Sequence, residues 1–254
     1  MNRLVIGALV ACATATALPV QAEEYSMSAG VEVTRGDYGT DTTSTVWSLP
    51  VSLRYYGERF SASLTVPWLI VDAPSDFVVS GGGRGQGAQA GGMESSRFVQ
   101  GLGDVTAALG TTFVKEGDAR PWFGMSGEVK FATADEARSL GTGENDYAVQ
   151  FEAAKGWFNA RVGQRWLGDT DTTDFNDPLY YAVGATYLFD AGGDLGIEWY
   201  GEEAAVSEDD PRREVTLYGS APMGTESRLQ GYLFKGLTDG SADLGGGLSL
   251  SFPL

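Results

Sequence analysis

Histidine is absent from this 254-residue chain, and cysteine occurs once. Without an imidazole no Ser-His-Asp triad and no His-dependent hydrolase can be built. The single thiol, Cys12, falls in an N-terminal stretch expected to be removed, so the mature chain would have no disulfide, no Cys-ligated metal and no Cys nucleophile. Structural zinc needs those same ligands and is excluded with them. Beyond the first twenty residues there is no run of about 18 apolar residues to mark a membrane helix. Basic residues are scarce too: 17 Lys and Arg stand against 34 Asp and Glu, a formal net charge of -17. Nucleic-acid binding calls for a basic patch and is not expected. Carboxylates are plentiful, but their pairing is left open by sequence alone. Neither an enzyme nor a cofactor is expected.

What is present is alternation. From Val46, Trp47, Leu49, Val51, Leu53 and Tyr55 alternate with Ser48, Pro50, Ser52, Arg54 and Tyr56. After Gly57-Glu58-Arg59, Phe60, Ala62, Leu64, Val66, Trp68 and Ile70 alternate with Ser61, Ser63, Thr65 and Pro67. A period of two means strands with one apolar and one polar face. Each arm matches a tilted membrane-crossing strand of about 9–11 residues. Trp and Tyr lie toward the arm ends, where an aromatic girdle meets the membrane interface. The same pattern recurs to Phe252 and predicts about twelve strands. The chain reads as an all-β, transmembrane antiparallel β-barrel over 23–254, preceded by a signal peptide over 1–22. Arg3, the apolar stretch Leu4 to Leu18 and Val20-Gln21-Ala22 supply the signal, with cleavage expected near Ala22. A rival reading takes Leu9-Val10-Ala11-Cys12 as a lipoprotein box.

The connections sort by length. Those after odd strands are long and polar: Gly36 to Thr43, Asp72 to Arg97, Ala134 to Asn145, Gly168 to Asp177 and Glu202 to Arg213. Those after even strands are short. The Asp239 connection is the exception. With both chain ends in the periplasm, long loops lie outside the cell and short turns inside. The glycine run Gly81 to Gly92 lacks the Lys-Ser/Thr ending of a nucleotide loop. It reads as a flexible outer loop; the sharper alternative folds it into the barrel and narrows it.

Charges opposite the lipid stripes are expected to face the lumen, because facing lipid costs about 2–4 kcal/mol each at the bilayer midplane. The candidates are Glu32, Arg54, Arg59, Asp104, Glu128, Lys130, Glu152, Arg161, Arg165, Glu198 and Glu214. They would either fill the interior with ion pairs or line a polar passage that selects solutes. Asp169, Asp171, Asp174 and Asp177 crowd one loop as weak Ca²⁺ candidates; divalent bridging to lipopolysaccharide phosphates is the other reading of that loop.

Three stretches carry a resemblance: Gly101-Leu-Gly-Asp-Val105, then Val129-Lys-Phe-Ala-Thr-Ala-Asp135, then Leu140-Gly-Thr-Gly-Glu-Asn-Asp146. In this order they resemble the outer-membrane transporter family associated with the meta-cleavage pathway of phenol degradation. Ala132 and Ala134 stand where that family has Pro and Gly. The resemblance extends from about Thr43 to the C-terminus and implies an outer-membrane barrel with uptake of small organic solutes. It supplies no catalytic residues. Barrel enzymes of the phospholipase and omptin types are set aside by the missing histidine. The expectation is a passive, partly selective channel in the bacterial outer membrane, with a closed structural or adhesive barrel as the alternative. Expected partners are outer-membrane lipid, lipopolysaccharide, a small solute and the barrel assembly machinery. A monomer is favoured. Leu254 takes the place of the aromatic residue that usually ends the assembly signal, with Phe252 on the same face.

Overall fold

The computed structural model describes residues 24–254 apart from 39–40, 75–76, 81–85, 90–95, 116–119, 172, 208 and 225. The expected signal peptide and most of Gly81 to Gly92 lie outside the described residues.

Alternation builds strands, and the strands close on themselves. β1 (Glu24–Gly36), β2 (Ser44–Tyr56) and β3 (Phe60–Pro74) form a meander. A small hairpin follows, β4 (Phe77–Ser80) with β5 (Gln86–Gln89), paired only to each other. β6 (Ser96–Leu102) and β7 (Val105–Val114) are two halves of one wall strand, both paired with β3. The wall continues through β8 (Trp122–Phe131), β9 (Asp146–Lys155), β10 (Phe158–Trp166), β11 (Leu179–Leu188) and β12 (Asp194–Glu202). β13 (Arg212–Met223), β14 (Ser227–Gly236) and β15 (Leu244–Pro253) complete it. Every neighbour pair is antiparallel. β15 returns to β1, with Ser26 opposite Pro253 and Arg35 opposite Leu244. The result is a closed barrel of twelve strands. Closure satisfies the backbone ladder of the wall internally, which lipid demands; among the described residues β6 keeps one edge, since it pairs with β3 alone.

The outer face is apolar. Trp47, Leu49, Val51 and Leu53 of β2, and Ile197 of β12, are all at least two-fifths exposed. In a soluble protein such a surface would aggregate; against acyl chains it is the favourable face. Five short turns and both ends of the strand set lie at one end, where the Leu254 amide donates to the Tyr25 carbonyl over 2.9 Å. Long loops lie at the other, extracellular end. Several boundaries differ from the sequence reading: Gly36 ends β1, Asp72 to Pro74 extend β3, and Ser96 and Arg97 open β6. Glu202, Arg212 and Arg213, expected in an acidic connection, are strand residues. Their charges mask strand pattern in sequence, but their side chains pair across the ladder.

Inward glycines make room for rings. Tyr218 lies over Gly196 and Tyr180 over Gly163, so close that a Cβ on either glycine would overlap the ring. Both tyrosines are nearly buried although they belong to the barrel wall. Gly196→Val should therefore displace Tyr218 and cost about 1–3 kcal/mol. A lower urea midpoint for the refolded barrel is the expected readout.

Candidate functional site

Two arrangements occupy the inner face: a charge and ring network on one wall, and an apolar cluster toward the loop end.

The network rests on β10, β12 and β13. Arg161 Nη2 meets Glu198 Oε1 at 2.8 Å, and Arg165 Nε meets Glu202 Oε1 at 3.2 Å. Arg212 bridges two acids, with Nε 2.6 Å from Glu214 Oε1 and Nη1 3.7 Å from Glu202 Oε2. The Tyr200 hydroxyl donates to Glu202 Oε2 over 2.8 Å. Guanidinium groups stack on the rings. Arg212 and Arg161 lie 5.2 and 5.9 Å from the Tyr200 centroid, and Arg165 lies 5.3 Å from Tyr180. Arg161 and Glu198 reach each other across β11 because that strand presents only Ala182 and Gly184 to them. Glu214 is 0% and Glu198 1% exposed. Buried charges at this depth are tolerable only when paired, and here three arginines balance three glutamates. Glu152 extends the chain, accepting from Gln150 Nε2 at 2.6 Å and Ser126 Oγ at 3.4 Å.

The opposite wall is different. The inner faces of β1 to β3 and β7 carry mostly Ser, Thr, Ala, Gly and Pro. Ser52 and Thr65 share a hydroxyl hydrogen bond of 2.8 Å there. Glu32 and Arg54 stand on this inner face, and Glu128 on the neighbouring inner face of β8. Arg54 is hydrogen-bonded to Tyr56. Of the sequence candidates, Arg59 alone lies off the inner face, exposed in the turn before β3.

Toward the loop end an apolar cluster packs on β2 and β3. There the inward positions of β2 and β3 change from polar to apolar: Val46, Leu69, Val71 and Ala73. Phe77 and Val79 of β4 fold onto them, and Leu140 arrives from the 132–145 connection. Phe77 is 0% exposed. Arg97 Nη2 holds its carbonyl at 3.2 Å. Tyr38 packs its ring against Phe77, with centroids 5.7 Å apart. Burial pushes its phenol up to about 12 against the opposing pull of Arg212, so it is neutral at any physiological pH. The glycine-rich segment is therefore not a plain outer loop at its first flank, which folds inward.

Lys130 anchors the connection that brings Leu140 to this cluster. Its ammonium, 3% exposed, lies 2.8 Å from Asp146 Oδ2 and 3.3 Å from Asp104 Oδ2, and donates to Thr142 Oγ1 over 3.2 Å. Asp104 sits where the wall breaks between β6 and β7. Its Oδ1 accepts the Thr133 and Ala134 amides at 3.0 and 2.9 Å. Gly141 is pressed against the Asp104 carboxylate, where a Cβ would lie 2.7 Å from Oδ2. Gly143 holds a positive φ of 78° beside Glu136. The three motif stretches thus meet as one clamp that carries Leu140 into the apolar cluster.

Asp169, Asp171, Asp174 and Asp177 do not converge. Asp169 Oδ1 accepts the Phe175 amide at 2.7 Å, a loop-shaping bond. Among the described residues no group of three Asp, Glu, His or Cys side chains is placed to hold a metal ion. The sequence reading missed Glu202, Arg212, Tyr180, Tyr200, Tyr218, Phe77 and Leu140. The inward tyrosines had one available signal, their place opposite the lipid stripes.

No family model and no curated protein matches the chain. Solved structures match its fold. An outer membrane channel from Pseudomonas putida F1 is similar with a TM-score of 0.65 at 14% identity, over 94% of this chain and 97% of that one. The transport unit of the autotransporter AIDA-I from Escherichia coli gives 0.50 at 7%, over 95% and 93%. CymD, a monoaromatic hydrocarbon channel, gives 0.43 at 10%, over 91% and 88%. At these identities the likeness is one of fold, and that fold is the outer-membrane β-barrel.

Lys130→Met should leave two carboxylates facing each other without a cation, at a cost of about 3–5 kcal/mol. Adding Asp104→Asn should recover part of that loss. Denaturant unfolding reads both, and faster amide exchange at Thr133 and Ala134 is expected in the single variant.

Proposed function

We propose that this barrel is a passive, partly selective channel for small organic solutes, aromatic compounds among them, in the outer membrane. The observation that carries the reading is the inner face itself. Three arginines and three glutamates are paired on one wall, the facing wall carries mostly small side chains with Glu32 and Arg54 among them, and the loop end holds an apolar cluster. The buried cluster of Phe77, Val79 and Leu140 on the apolar ends of β2 and β3 stands at the outer end of the path. An apolar constriction disfavours ions, which would shed water without replacement, and passes neutral solutes that pay little to dehydrate. Below it, the Ser and Thr of β1 to β3 offer hydroxyls along the path. The resemblance to the phenol-pathway transporter family points to the same solute class.

The second reading, a closed structural barrel, draws on the network: paired charges and stacked rings of β10, β12 and β13 fill space as well as they line it. Single-channel recording of the refolded chain in a planar bilayer separates the two. The channel reading expects small, steady conductance, raised several-fold by the double variant Phe77→Ala/Leu140→Ala. A correctly folded and inserted barrel that stays silent in both forms would establish the closed reading instead.

A further inference from the structure

The net charge is distributed by position. Half of the 34 acidic residues fall in the six outer connections, where the only basic residues are Arg84 and Arg138. At the top of the barrel wall, on its lipid-facing side, the sign reverses locally. Lys235 of β14 is paired with Leu244 of β15, and Leu244 with Arg35 of β1. The two cations therefore flank one leucine in a single row, their Cα atoms about 10 Å apart by strand spacing. Arg213 of β13 stands next to this row, two residues above Val215, the partner of Lys235.

All three point outward. Lys235 follows Leu233 in the exposed phase of β14, and Arg35 shares the phase of Val31. Arg213 shares that of Leu217. Its guanidinium lies 5.8 Å from the outward Tyr181 ring, and Nη1 donates to the Glu202 and Arg212 carbonyls at 2.9 and 2.7 Å. Just below the row, Leu233 and Leu248 are 64% and 56% exposed. The nearest acids flank the patch: Glu203, just above Gly201 beside Arg213, Asp72, at the same level on β3 beyond Arg35, and the exposed loop residue Asp243 before Leu244. Cations at this height cost little, since the penalty on the lipid face falls to about 0–1 kcal/mol near the interface. A basic row above an apolar strip, at the end of a wall crowned by acidic loops, is complementary to a lipid that carries phosphate on its head and saturated chains below.

We propose that Arg35, Arg213 and Lys235 form a binding site for the phosphates of a phosphorylated glycolipid in the outer leaflet, with its acyl chains lying on Leu233, Leu244 and Leu248. This site is independent of whether the lumen conducts. The test uses the full refolded barrel in detergent, with EDTA present so that no divalent ion bridges the acidic loops to phosphate. The probe is purified bisphosphorylated lipid A, compared with its dephosphorylated form and with phosphatidylglycerol, and binding is followed by native mass spectrometry. The native chain should prefer bisphosphorylated lipid A over both others. Arg35→Ala/Lys235→Ala should bind it about 30-fold more weakly, from two near-surface charges. Lys155→Ala, which removes an outward cation at the opposite end, should bind it as the native chain does. Equal binding of dephosphorylated lipid A or phosphatidylglycerol by the native chain would overturn the proposal whether or not the variants fold. So would undiminished binding by a double variant shown to be folded.

Discussion

A chain in lipid must satisfy its backbone polar groups within itself, and almost everything in this molecule follows from that demand. The pairing of β15 with β1 closes the ladder, from Ser26 and Pro253 at one end to Arg35 and Leu244 at the other. Once the sheet is closed, each strand has an inside and an outside, and alternation sorts side chains between them. Charge is sorted as well. Acidic residues accumulate in the outer loops, where water is available, while Glu198, Glu202 and Glu214 inside are paired with arginines and Asp104 and Asp146 with Lys130. The wall breaks between β6 and β7, where Gly103 donates its amide to Pro67 and Asp104 turns in to meet Lys130.

The interior divides into two kinds of structure with different physics. On β10, β12 and β13 the charges are held by one another, and the arginines are also held by tyrosine faces. Such a wall keeps each buried charge beside an opposite one, in a low-dielectric setting where such pairing counts for more than in water. At the mouth the forces are apolar, but their placement is ionic: Lys130, between two aspartates, sets where the 132–145 connection runs and hence where Leu140 points. The ordered glycine-rich motifs read in the sequence are the parts of this clamp. Their glycines are needed where the connection passes close to Asp104 and Glu136.

The strands were legible because one face of each is consistently apolar, as in Trp47, Leu49, Val51 and Leu53. The candidate charges were legible for the same reason, by elimination from that face. Their pairing was not. Arg161 and Glu198 are 37 residues apart in the chain, and only the register of β10, β11 and β12 brings them together. Tyr180 was readable as inward from its place opposite the stripe of Tyr181, Val183 and Tyr187, but nothing in the sequence says that it stacks with Arg165. Phe77 and Val79 sit in a glycine-rich stretch whose composition reads as loop, and their burial depends on apolar partners from β2, β3 and the 132–145 connection. Arg59 was misplaced by extending alternation into a turn, where it does not hold.

The central claim is that the mouth admits neutral organic solutes and rejects charged ones of the same size. Flux into proteoliposomes of a neutral monoaromatic compound, compared with its carboxylate, tests this most directly. The account predicts clear entry of the neutral compound above protein-free vesicles and little entry of the anion. Equal rates for the two, or rates no higher than in protein-free vesicles, would contradict it.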